Sequence, residues 1–145
     1  MSSFKIFDIA GSGMSAQSVR LNTTASNLAN ADSIGSDPKL VYRARHPIFE
    51  AVRAGLFNAN SASANRNNPG VAVRVRGIVE SQAEPSARYE PGNPLADAKG
   101  YVYAPNVNTI EEMTDMISAS RSYQNNVEVM NTSKDMMLAT LKLGT

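Results

Sequence analysis

The chain has 145 residues, of which 42% are nominally hydrophobic, but 19 are Ala and only 30 are Leu, Ile, Val or Phe. That is enough for one small core with extensions, near the limit at which a chain can bury sufficient surface to fold alone. A net charge of +1, no Cys and a single His exclude disulfide scaffolds, thiolate metal sites, thiol catalysis and the basic excess of a nucleic-acid binder.

At the start, Phe4, Ile6, Phe7 and Ile9 are interrupted by Asp8, so no cleaved secretory signal peptide is expected. Phe7, Met14, Leu21 and Leu28 then recur every seven residues, interleaved with Phe4, Gly11, Ser18 and Ala25. A sustained heptad predicts a helix from about Phe4 to about Asn30 that packs along partners, with Gly11 and Gly13 permitting close approach. Gly11-Ser12-Gly13-Met14-Ser15-Ala16 also matches G-x-G-x-x-A, with Asp32 placed as a ribose-binding acid. This opens an alternative reading as a nucleotide-binding enzyme fragment. It is the weaker one, because Ser26 to Ala31 is polar and helical in pattern where that fold needs a second strand.

The middle holds most of the Arg (43, 45, 53, 66, 74, 76 and 88) and Pro47, Pro69, Pro85, Pro91 and Pro94, so strands, turns and loops are expected there. Tyr42 to Phe49 is a weak strand candidate. Residues 58–70 form a polar low-complexity stretch, read as a loop or mobile excursion. Val71 to Arg76 alternates apolar and basic residues and continues toward Ile78 and Val79, a half-buried strand. Pro91-Gly92-Asn93-Pro94 is turn chemistry ahead of a short strand at Tyr101-Val102-Tyr103. His46 has only Glu50 as a neighbouring acid and stands beside Pro47, which argues against a catalytic or metal role. Arg74 and Arg76 read as solvated or subunit-facing rather than as nucleic-acid contacts. No run approaches 18 apolar residues, so no direct membrane insertion is expected.

In the last segment Thr109-Ile110-Glu111-Glu112 reads as a capping box, with acids at 111, 112 and 115 suiting the positive end of the dipole. Met113, Met116, Ser120, Tyr123, Val127, Met130, Lys134, Met137 and Leu141 form one three-four series, widened by Ile110, Ile117 and Leu138. A helix of about 35 residues is expected to stop at Gly144. The methionines at 113, 116, 130, 136 and 137 suit adaptable packing rather than a cofactor site. If the two helices pair only with each other, closing the connection of about 80 residues costs on the order of 4 kcal/mol, across seams that carry Ser18, Ser120 and Lys134. Burial against other copies is the economical solution, although a generic coiled-coil adaptor would share the pattern.

Ser26-Asn27-Leu28-Ala29-Asn30-Ala31-Asp32 resembles the N-terminal signature of bacterial flagellar basal-body rod, hook and related axial proteins, with the asparagines suited to bonding backbone where the helix stops. Asn106-Val107-Asn108, Glu112-Met113, Met116-Ile117, Arg121-Ser122-Tyr123-Gln124 and Lys134-Asp135-Met136 through Leu141-Lys142-Leu143-Gly144 resemble that family's terminal helix. Pro91 to Asp97, Gly100-Tyr101-Val102 and the short length are similar to its proximal-rod members. The sequence departs from the family pattern at Ser33-Ile34-Gly35-Ser36 and at Asn125. The resemblance implies a mainly α fold: long N- and C-terminal helices paired as an antiparallel coiled coil, with a small β-rich or loop insertion between them. The corresponding division is 1–35, 36–105 and 106–145. It further implies a non-enzymatic drive-shaft subunit of the rod crossing the periplasm, without cofactor or metal, exported by the flagellar type III apparatus. Its partners would be other copies and other rod proteins. The expected subunit-interface residues are Phe4, Phe7, Met14, Leu21, Asn27, Leu28 and Asn30 on the first helix. On the second they are Ile110, Met113, Met116, Ile117, Tyr123, Val127, Met130, Met137, Leu138 and Leu141.

Overall fold

Helix α1 occupies Ser3–Ala29, within a residue or so of the span set by the heptad. The computed structural model describes residues 3–53 and 71–143, with side chains from 5 to 52 and from 71 to 142. The 58–70 stretch, the Gly144 stop and the Phe4 side chain lie outside the described residues. After α1 come strands β1 (Arg45–Arg53), β2 (Val71–Glu80), β3 (Ser86–Tyr89) and β4 (Tyr101–Ala104), then helix α2 (Thr109–Leu143). The fold is therefore two long helices with two small sheets between them, β1 paired with β2 and β3 with β4.

The end of α1 is built by Asn30. Its amide Nδ2 donates to the Ser26 carbonyl at 2.8 Å, and its own carbonyl accepts the Ser33 amide and hydroxyl at 3.1 and 2.7 Å. Carbonyls that lose their helical partners at the C-terminus thus find new donors within the turn. At the start of α2 the cap differs from the expected one. Asn108, not Thr109, accepts the amides of Ile110 and Glu111, at 3.1 and 3.4 Å. The sequence misleads here because Thr and Asn are both good caps and stand side by side.

The Tyr42–Phe49 candidate is displaced toward the C-terminus, since β1 begins at Arg45. Strand β3 carried no sequence signal and exists through pairing. It runs antiparallel to β4 with Ser86 opposite Ala104 and Tyr89 opposite Tyr101. The loop between them is closed by Asp97, whose Oδ1 accepts the Lys99 and Tyr101 amides at 2.8 and 2.9 Å. Gly100 sits at φ 81°, a conformation disfavoured for residues with a Cβ, and one that would bring it within 3.0 Å of the Tyr89 ring.

The nucleotide-binding alternative fails on position. Gly11 to Ala16 lies in the interior of α1, where backbone amides are committed to the helix. A phosphate cradle needs them free at a strand-to-helix turn. Instead, the Ser12 hydroxyl donates to the Ile9 carbonyl at 2.7 Å and accepts the Val73 amide at 3.1 Å, joining α1 to β2.

The chain divides into two compact units, each drawing on both ends and the middle. One contains the described residues of 1–19, 48–77 and 119–145. Its buried side chains are Ala10, Ala16, Ala72 and Ala119. The other contains Arg20–Pro47 and Ile78–Ser118, and buries Thr23, Thr24, Asn27, Val41, Ala44, Val102 and Glu112. No Leu, Ile, Phe or Met among the described residues is fully buried in either unit.

Candidate assembly interface

The centre of the second unit is a polar node at Asn27, which is 0% exposed. Its Nδ2 donates to the Arg45 carbonyl and to Glu112 Oε1, both at 2.8 Å. Its Oδ1 accepts the Tyr42 hydroxyl at 2.8 Å and the Arg45 amide at 2.9 Å. All four hydrogen-bonding capacities of the side-chain amide are used. Because the Arg45 N–H can only donate and its C=O only accept, the orientation of the amide is fixed. The side chain acts as one more strand residue paired with Arg45. It thereby ties the last turns of α1 to the start of β1 and to the first turns of α2.

Glu112 is the costly member of this node. It is 4% exposed, and its second oxygen, Oε2, has no hydrogen-bond partner. Burial pushes its carboxyl above the ordinary 4.5, opposed by the hydrogen bond from Asn27 and the nearby His46. A second amide, Asn106, fixes neighbouring backbone: it accepts the Ala44 amide and donates to the Ala83 carbonyl, each at 2.8 Å. Tyr42 also lies under the Arg45 guanidinium, 5.5 Å from the ring centre.

Among the described residues, a hydrogen bond, an ion pair and a close approach at a glycine join α1 to α2. They are Asn27 with Glu112, the Arg20–Asp115 ion pair at 2.7 Å, and Gly13 against Asn126. A Cβ on Gly13 would stand 2.9 Å from Asn126 Oδ1, so only glycine admits α2 at this distance without displacing that side chain. Within α2 four polar side chains bond back to their own helix. Thr114, Asn126, Ser133 and Thr140 donate to carbonyls four residues back.

The residues expected at subunit interfaces divide into three groups. Asn27 is buried and spent within its own chain. Phe7, Met14, Leu21, Leu28, Asn30, Met116, Val127, Met130 and Met137 are half-buried. Ile110, Met113, Ile117, Tyr123, Leu138 and Leu141 are exposed, with Ile110 at 76% and Leu141 at 68%. The residues buried most deeply in α1 (Ala10, Ala16, Thr23, Thr24 and Asn27) lie beside the Phe7–Leu28 heptad rather than on it. Sequence reasoning gave no site role to Arg20, to Tyr42 (read only as the start of a strand) or to Asn106 (quoted only within the family resemblance), and assigned Glu112 and Asp115 to the capping box and helix dipole. Their partners lie 15 to 95 residues away, beyond any local pattern. Among the described residues no group of three or more His, Asp or Glu could hold a metal ion, and no helix is long and apolar enough to cross a membrane.

The helical members of this site lie where two family models match. Residues 7–35 match the model described as flagella basal body rod protein, and residues 98–143 the model described as flagellar basal body rod FlgEFG protein C-terminal. Over 144 residues the chain is 53% identical to the flagellar basal-body rod protein FlgC of Escherichia coli O6:H1, with 99% of each covered. It is 51% identical over 147 residues to FlgC of Salmonella typhimurium and 34% over 149 to FlgC of Bacillus subtilis, again covering 99% of each chain. The chain belongs to the FlgC family of flagellar basal-body rod proteins. As a FlgC-family chain it is a structural subunit of the rod. The Asn27 node joins the two matched regions, with Asn27 in the first and Glu112 in the second.

Proposed function

We propose that this FlgC-family chain is a non-catalytic subunit of the proximal rod, a drive shaft that crosses the periplasm and carries torque from motor to hook. Its two long helices pair as an antiparallel coiled coil, with residues 36–105 as an insertion, and the pair is completed by other copies and other rod proteins. Export proceeds through the flagellar type III apparatus without a cleaved signal.

The observation that carries this reading is where the apolar surface lies. The defined contacts between α1 and α2 are small or polar, while Ile110, Met113, Ile117, Met136, Leu138 and Leu141 are all more than 45% exposed on α2. Burying such side chains is worth about 1.5–3 kcal/mol each, so a lattice of neighbours has much to gain from this helix. Antiparallel pairing is supported by the order of the contacts, since residues 13, 20 and 27 of α1 meet 126, 115 and 112 of α2. Leu28 and Met130, half-buried on the two helices, are the sites to test. In cells lacking the native chain, Leu28→Asp or Met130→Asp is expected to abolish incorporation into isolated basal bodies and motility, while His46→Ala retains both. Normal rods with either Asp variant would remove the seam from the proposal.

A further inference from the structure

The turn after α1 borders a groove that the helix pairing does not use. Residues 33–37 and 39–43 with Arg45, Glu80 and Leu95 line a cavity of about 670 Å³. At its lip Leu40 is 85% exposed, held out by a turn in which the Leu40 amide donates to the Asp37 carbonyl at 3.0 Å and the Lys39 amide to Asp37 Oδ1 at 2.8 Å. Leu95, on the lining, is also exposed at 46%. The charges at the mouth are unequal. Glu80 is engaged by Arg45 at 3.0 Å, and Asp37 accepts from its own turn. Asp37 keeps its charge all the same, so the three cations of the lining (Lys39, Arg43 and Arg45) outnumber its two anions (Asp37 and Glu80) by one, and the Arg43 guanidinium donates to the Ser81 carbonyl at 3.5 Å.

The complementary surface is on the same chain. The first turns of α2 expose Ile110, Met113 and Ile117 at i, i+3 and i+7, which makes one apolar ridge. Glu111 is exposed on the flank of that ridge, while Glu112 is turned inward.

We propose that the Ile110–Met113–Ile117 ridge of one copy seats in the Leu40–Leu95 groove of the next, with Glu111 facing Lys39 and Arg43. This deepens the rod-subunit reading and rests on it. Ridge and groove are different patches, so the contact is heterologous. Each copy keeps one of each free, and repetition gives an open-ended array instead of a closed dimer.

The native chain has no cysteine, which allows a direct test. In basal bodies from cells whose only copy is Leu40→Cys/Met113→Cys, mild oxidation is expected to yield a ladder of cross-linked multimers. Each single-cysteine chain should stay monomeric. A double-cysteine chain that is present in basal bodies yet gives no ladder overturns the proposal and leaves the rod reading standing, as does efficient dimer formation by either single variant, which would place like positions of two copies together. Wild-type chain missing from basal bodies removes the rod reading, and the proposal with it. If the double-cysteine chain does not incorporate, a charge exchange decides. Arg43→Glu and Glu111→Arg are each expected to lower incorporation about ten-fold by placing like charges together, and their combination to restore it to within about two-fold. Normal incorporation of both single variants overturns the proposal, and so does a combination no better than the worse of the two.

Discussion

Each of the two compact units holds part of α1 against part of α2, but by different physics. Around Asn27 the contact is made of hydrogen bonds: one amide with every donor and acceptor used, a buried carboxyl, and the Arg20–Asp115 pair nearby. Around Gly13 the contact is made of missing atoms, a glycine against Asn126 with Ala10, Ala16 and Ala119 buried in the same unit. The first arrangement specifies one register, because any shift leaves buried polar groups without partners. The second sets a distance of approach. Among the described residues no Leu, Ile, Phe or Met is fully buried in either unit, while Ile110, Met113, Ile117, Met136, Leu138 and Leu141 leave a large apolar surface of α2 exposed.

The largest effect expected from breaking this contrast is at the polar node. Asn27→Ala removes the side-chain partner of the Arg45 amide and carbonyl and of Glu112, leaves the Tyr42 hydroxyl with Ser26 alone, and is expected to destabilise the purified chain by on the order of 4 kcal/mol, measured by urea unfolding. Gly13→Leu comes next, at about 2 kcal/mol from overpacking against Asn126. Gly11→Ala, where a Cβ meets nothing within 4 Å, is expected to raise stability by about 1 kcal/mol through helix propensity alone. Equal effects at the two glycines would show that close approach plays no part.

Glu112→Gln sharpens the account of the node through pH. Burial holds the folded carboxyl above 4.5, so above that value the folded chain retains a proton that the unfolded chain has released. The favourable contribution is complete below 4.5 and is lost as pH rises through the folded pKa. Melting temperatures of the wild type are expected to fall over that window relative to those of Glu112→Gln. The smallest effect is at the partly exposed ion pair, where Arg20→Gln should cost less than about 1 kcal/mol and be masked by salt.

Both helices were legible in the sequence because seven-residue spacing and the absence of proline speak for themselves over about 30 residues. Strand β2 was legible in its extent but not in its buried face: the alternation pointed Val71 and Val73 inward, yet both are exposed, as are Ile78 and Val79, and Ala72 is the buried residue of the strand. What the local pattern could not give was the work of the Asn-Leu-Ala-Asn stretch. Asn30 bonds the helix end, as its position suggested, but Asn27, three residues earlier and of the same type, reaches across 85 residues to Glu112. Glu112 was read as a dipole partner because first-turn acids usually are, and only tertiary packing turns it inward. Strand β3 was invisible for a related reason: Ser86 to Tyr89 has no pattern of its own and is a strand because β4 lies beside it.

The full satisfaction of Asn27 has a consequence for chemical ageing. Hydrolysis of its amide to a carboxylate would turn two donors into acceptors and set a negative oxygen against Glu112 Oε1, 2.8 Å from where the nitrogen had been. One spontaneous reaction at one side chain would convert a fully satisfied tie into a repulsion. That reaction ordinarily begins with attack by the following backbone nitrogen, so an amide held by four hydrogen bonds inside a helix resists it, which protects the durability of the part as well as its shape.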